Sequence, residues 1–195
     1  AMNNLKQLGL AMHIFADVNQ KLPSAVMVGP DGKTPHSWRV AILPYIEQQA
    51  LYQQYKFDEP WDSEANRRVL AQMPAVFRNP GDDAKSTNTA YFVLTGAGPM
   101  FGDNKAPTFA DITDGTSNTL MIVEAKREVP WTKPEDIDYD PARPPALGWS
   151  IPDRFHVLLA DGSTRTVRRD LRPDVLRLLI DPRDGNVIPW GEVDR

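Results

Sequence analysis

The stretch FHVLLADGSTRTV, Phe155 to Val167, sets a histidine, an aspartate and a serine close together. A Ser-His-Asp relay stacks base against nucleophile and acid against base, and its members usually come from separate segments, so nearness in sequence does not make one. The flanks are more informative. VLLA and STRTV are both β-favouring, and Asp161-Gly162 between them is a favoured dipeptide of two-residue hairpin loops, where both central positions take positive φ. The stretch therefore predicts a β-hairpin turning at Asp161 and Gly162, with His156 and Ser163 on opposite strands. No elbow-type glycine pattern surrounds the serine.

Working outward, AYFVLTG and NTLMIVEA are further short β-favouring runs, and PGDD, GAGP and TDGTSN separate them as turns. Ahead of them the pattern is helical. NNLKQLGLAMHIFADVNQKLP reads as a helix stopped by Pro23, with one apolar stripe at Leu5, Leu8, Met12 and Phe15 and a second at Leu10, Ile14 and Val18. At 100° per residue the stripes together span roughly 220°, wider than the ~100° of a helix lying on one core. Such a helix is expected to touch both its own domain and a neighbour. His13 falls with Lys6, Asp17 and Gln20 on the remaining polar arc and reads as solvated.

A second helical region starts near Trp38 and runs through WRVAILPYIEQQALYQQY, with Pro44 at a first turn or kink. A third helix is predicted from an Asp62 N-cap through SEANRRVLAQM, ending before Pro74. Pro173 followed by DVLRLLI gives a late helix with proline in its first turn. Helices followed by strands predict one α+β domain over residues 1–195, with helices on one face of an antiparallel sheet. Its parts are an N-terminal helix (1–22), a helical region (38–79) and a sheet region (88–195).

Composition narrows the function classes. With 41% hydrophobic and 25% charged residues the chain is of ordinary globular type. A net charge of -4 without a basic block gives nucleic-acid binding no support. The absence of cysteine excludes disulfide scaffolds, thiolate metal sites and cysteine nucleophiles. No run approaches the ~18 apolar residues of a membrane span.

Three groups of residues could carry chemistry. EVPWTKPEDIDYDPARPP, residues 128–145, reads as a stiff acidic excursion between strands, and its Asp136, Asp138 and Asp140 alternate like the opening of an EF-hand. Pro141 stands where the EF-hand glycine belongs and Leu147 where its glutamate belongs, so calcium at these three aspartates would need a different geometry; the alternative is a solvated acidic loop. Trp61, Trp131 and Trp149 are candidate stacking surfaces for a solute if they cluster on one exposed face. Asp111, Asp114 and Asn118 around Gly115 read as a tight turn, and Glu124 beside Lys126 and Arg127 as a salt-bridged strand end.

Taken together, NNLKQLGLAMH, SWRVAILPYIEQQALY, DEPWDSEAN, ADITDGTSNTLMIVEA, VPWTKPED and LLADGSTRTV resemble the DUF1559 family of planctomycete-type bacterial proteins. Its members look like type II secretion pseudopilins with a prepilin-type N-terminus. The resemblance implies a pilin-like α+β fold whose N-terminal helix lacks its membrane half, with Ala1 and Met2 left by cloning. It further implies a membrane-anchored precursor in the cell envelope or outside the cell, and partners that are other pilin-like subunits or secretion machinery. Calcium in a late loop would be in keeping with pseudopilins. One departure stands out: many relatives carry a histidine ten residues before the hairpin aspartate, where this chain has Ile151. The expected function is assembly rather than catalysis, with no required cofactor; the alternative is an extracellular module that captures a saccharide or other solute.

Overall fold

The computed structural model describes residues 1–149 and 151–194. Helix α1 (Met2–Asn19) ends at Gln20, which takes a left-handed conformation (φ 66°) ahead of Pro23. Leu5, Leu8, Met12 and Phe15 are buried along it, joined by the small residues Gly9, Ala11 and Ala16. Complete burial of such side chains stabilises the fold by roughly 1.5–3 kcal/mol each.

The chain then forms a small hairpin of β1 (Val26–Val28) and β2 (Pro35–Ser37), which the sequence pattern did not announce. The second helical region is broken into α2 (Trp38–Ala41), a 3-10 turn (Leu43–Ile46) with Pro44 in its first turn, and α3 (Gln49–Gln54). Glu47 at φ 60° marks the break. Helix α4 (Glu64–Leu70) is capped by Ser63, whose hydroxyl accepts from the Asn66 N–H at 3.1 Å, so the cap lies one residue beyond Asp62.

The later strands are β3 (Tyr91–Phe92), β4 (Leu94–Gly96), β5 (Leu120–Glu124), β6 (Ile137–Tyr139), β7 (Arg154–Leu159) and β8 (Thr164–Arg168). Four of them make an antiparallel sheet in the order β3-β5-β7-β8. The acidic excursion is partly sheet, because β6 pairs in parallel with β4. Helix α5 (Pro173–Ile180) and the short α6 (Trp190–Val193) follow.

The sheet separates two cores. Tyr91, Met121, Ile122, Leu158 and Ala160 pack with α1. Phe92, Val123, Phe155, Val157, Leu159 and Val167 pack with Val175, Leu176, Leu179 and Ile180 of α5. Helices therefore cover both faces, not one, because α5 carries its own apolar stripe. A bulge between Leu120 and Ile122 lets the adjacent Met121 and Ile122 both join the α1 core.

Candidate functional site

The β7-β8 hairpin forms where expected, but its loop holds three residues. Leu159 N–H donates to the Ser163 carbonyl at 2.8 Å and Gly162 N–H to the Leu159 carbonyl at 2.9 Å. Gly162 has positive φ (89°) whereas Asp161 does not, so a tight turn is followed by a glycine bulge rather than a turn with two positive-φ residues. Asp161 Oδ1 accepts from the Ser163 N–H at 2.9 Å and its hydroxyl at 2.6 Å, which makes the serine a turn residue. His156 faces Thr166 across the strands, with Nδ1 3.1 Å from Oγ1.

The loop is docked on both sides. Asp161 and Ala160 N–H groups donate to the Thr116 and Thr119 carbonyls at 3.0 and 2.8 Å. On the other side His13 Nε2 lies 2.9 Å from the Ala160 carbonyl and the imidazole stacks on Phe109 at 4.7 Å. His13 is thus half-buried, and the solvated reading is corrected: the helix edge that looks polar on a wheel is where the hairpin loop rests. The Asp111 to Asn118 stretch is turn-forming, with Asp111 boxing Thr108 and Asn118 Nδ2 donating to the Asp114 carbonyl at 3.0 Å.

The three aspartates of the acidic segment do not form one donor set. The Asp136 side chain is 1% exposed and its Oδ1 accepts from Arg39 Nη2 at 2.7 Å, Trp38 Nε1 at 3.1 Å and the Val93 N–H at 3.1 Å. Arg39 is itself buried, and its other N–H groups donate to the Tyr91, Lys133 and Glu135 carbonyls and to Ser37 Oγ. Burial pushes the Asp136 carboxyl up to about 6, against the downward pull of the Arg39 guanidinium. Asp138 and Asp140 are exposed, and no cluster of three His, Asp or Glu side chains suited to a metal occurs among the described residues.

The tryptophans are likewise dispersed. Trp131 is fully buried, stacked on Phe77 at 5.2 Å, and donates from Nε1 to the Leu70 carbonyl at 2.9 Å. Trp61 and Trp149 are half-buried under different cations, with Lys133 Nζ 6.0 Å and Lys126 Nζ 5.4 Å from their rings. Glu124 is not salt-bridged to its neighbours: it is buried, accepts from Asn79 Nδ2 at 2.8 Å, and desolvation raises its carboxyl above the usual range. An open groove lined by Asp153, Arg154 and Arg168–Asp170 pairs Arg168 with Asp170 at 2.7 and 2.6 Å. That bond holds Asp170 below the ordinary carboxylate range, unlike a general acid poised near neutrality.

The remaining candidate is the outer side of α1. Leu10 is 63% and Val18 61% exposed, and Ile14 between them is half-buried. Spaced four apart, they form a single ridge pointing away from the sheet. No helix among the described residues is long and apolar enough to cross a membrane.

A family model described as "Protein of unknown function (DUF1559)" matches residues 1–98 and 79–153. No curated protein and no solved structure matches the chain.

Proposed function

The chain belongs to the DUF1559 family, and on that premise we propose that it is a non-catalytic assembly subunit with a pilin-like fold, acting at the cell envelope. The observation that carries this reading is the exposed Leu10, Ile14 and Val18 ridge. An apolar row along a helix whose opposite side is already buried is what a subunit needs to pack α1 against the α1 of a neighbour. Its partners are then other pilin-like subunits or the secretion machinery. Solute capture on Trp61, Trp131 and Trp149 has less support, since Trp131 is inside the core and the other two are half-buried, each under a lysine of its own.

Because the sequence has no cysteine, single cysteines report contacts without background. The full-length protein carrying Leu10→Cys, Ile14→Cys or Val18→Cys is expressed in its own cell envelope and oxidised. Disulfide-linked multimers are expected from these variants and not from Glu64→Cys, on an exposed part of α4. If the α1 variants remain monomeric, or cross-link no more than the α4 control, the assembly reading fails.

A further inference from the structure

We infer that the cleft between the end of α1, the β1-β2 hairpin and the segment from Leu43 to Phe57 is a binding site for a neutral saccharide. The cleft holds about 360 Å³, within the ~300–1,000 Å³ range of small-molecule pockets. Its walls are aromatic. Phe15 and Tyr45 meet edge to face at 5.7 Å, while His36, Phe57 and Tyr52 form a second set, with centroids 4.8 Å apart for His36 and Phe57 and 5.1 Å for Tyr52 and Phe57. Gly29 lets the hairpin approach closely, because a Cβ there would stand 2.6 Å from the Phe57 carbonyl oxygen.

The polar groups select among ligands. His36 is 6% exposed, lines the cleft, and its Nδ1 has no hydrogen-bond partner. Burial lowers its pKa to about 4, so the imidazole is neutral near pH 7 and adds no charge to the lining, while its unpaired Nδ1 is closed to solvent. The Asn19 amide and the Tyr45 and Tyr52 rings stand in the same lining. No charged side chain lines the cleft among the described residues, which disfavours an ionic ligand because nothing there would offset its desolvation.

A pure hydrocarbon would strip water from the Asn19 amide and the Tyr45 and Tyr52 hydroxyls without replacing it. A sugar ring presents apolar C–H faces to the aromatic rings and hydroxyls at its edge that can donate to or accept from Asn19 and the phenols. This site shares no residue with the three tryptophans, and it stands or falls separately from assembly through α1.

The test is saturation-transfer NMR on the protein with methyl glucoside, N-acetylglucosamine, maltose, cellobiose and xylobiose, beside glucuronic acid, glucosamine and a polyproline hexapeptide. Transfer to the ring C–H protons of at least one neutral sugar is expected, with little to the charged sugars. Tyr52→Ala and Tyr45→Ala, each checked for native circular dichroism, should each weaken that binding roughly tenfold. Leu10→Glu, on the outer ridge of α1, should leave it unchanged. The inference is overturned if no neutral sugar binds, if both tyrosine variants bind as the wild type does, or if the peptide alone binds.

Discussion

Helix α1 divides its apolar residues between two faces, whereas the segment from Asp136 to Asp140 divides its carboxylates between core and solvent. In α1 the division follows the turn of the helix: Leu5, Leu8, Met12 and Phe15 are buried in the core, and Leu10 and Val18 are exposed with Ile14 half-buried between them. In the acidic segment, strand alternation alone would place Asp136, Asp138 and Asp140 on one side. The parallel pairing begins only at Ile137 opposite Leu94, and Asp136 just ahead of it turns inward to Arg39 and the Val93 N–H. Local period settles the first region. A partner 97 residues away settles the second.

The strongest way to break that contrast is to remove one aspartate at a time. Asp136→Ala removes the shared acceptor of three buried donors, Arg39 Nη2, Trp38 Nε1 and the Val93 N–H, and is expected to cost about 3–5 kcal/mol, while Asp138→Ala, at an exposed strand position, should stay within about 0.5 kcal/mol. Urea unfolding of both variants gives the comparison directly. Equal losses would mean that Asp136 is not the anchor its geometry makes it.

A second test applies to the helix. Leu8→Ala should cost about 3 kcal/mol, since Leu8 is fully buried in the α1 core. Leu10→Ala should change stability by no more than about 0.5 kcal/mol in the isolated chain. A large loss at Leu10 would show that the outer ridge already serves the subunit itself, and the neighbour it is proposed to contact would lose its argument.

What could be read from the sequence follows the same division. The two stripes of α1, the hairpin at Asp161 and Gly162, the four strands of the main sheet and the proline-started α5 were legible because each depends on neighbours a few residues away. The α5 side of the sheet was harder, since period alone does not say which face a late helix covers. Arg39 was missed, although an arginine inside the apolar run WRVAIL carried a usable signal: a charge in such a run is either misplaced or paired. Glu124 at the end of LMIVE gave the same signal and was assigned to its basic neighbours instead. The aromatic cleft was not legible, because it joins Phe15, His36, Tyr45 and Phe57 through tertiary packing alone.

The pH dependence of the Asp136 pair sharpens the contrast further, with a smaller effect because both partners stay in place. Burial raises the folded-state carboxyl from 3.8 to about 6, so between those values the folded chain binds more protons than the unfolded one. The stabilising contribution is therefore full below pH ~4 and declines as pH rises through about 6. Asp136→Asn keeps an oxygen acceptor and does not titrate. The wild type should lose stability relative to this variant across that window, measured by urea midpoints at pH 4, 5, 6 and 7. A difference that stays flat, or moves the other way, would show that attraction to Arg39 outweighs desolvation.

The smallest effect concerns His13, which lies between the two faces of α1 and belongs wholly to neither. A carbonyl oxygen can only accept, so Nε2 must donate to Ala160 across the 2.9 Å contact. His13→Ala removes that bond and the stacking on Phe109, and should cost about 1 kcal/mol. His13→Phe retains a ring for Phe109 but no donor, so it should recover only part of the loss. Amide exchange at Asp161 and Gly162 gives the decisive reading. If His13 holds the hairpin loop against α1, these amides exchange faster in both variants while those of α5 do not; uniform acceleration would instead mean that the histidine supports the fold as a whole.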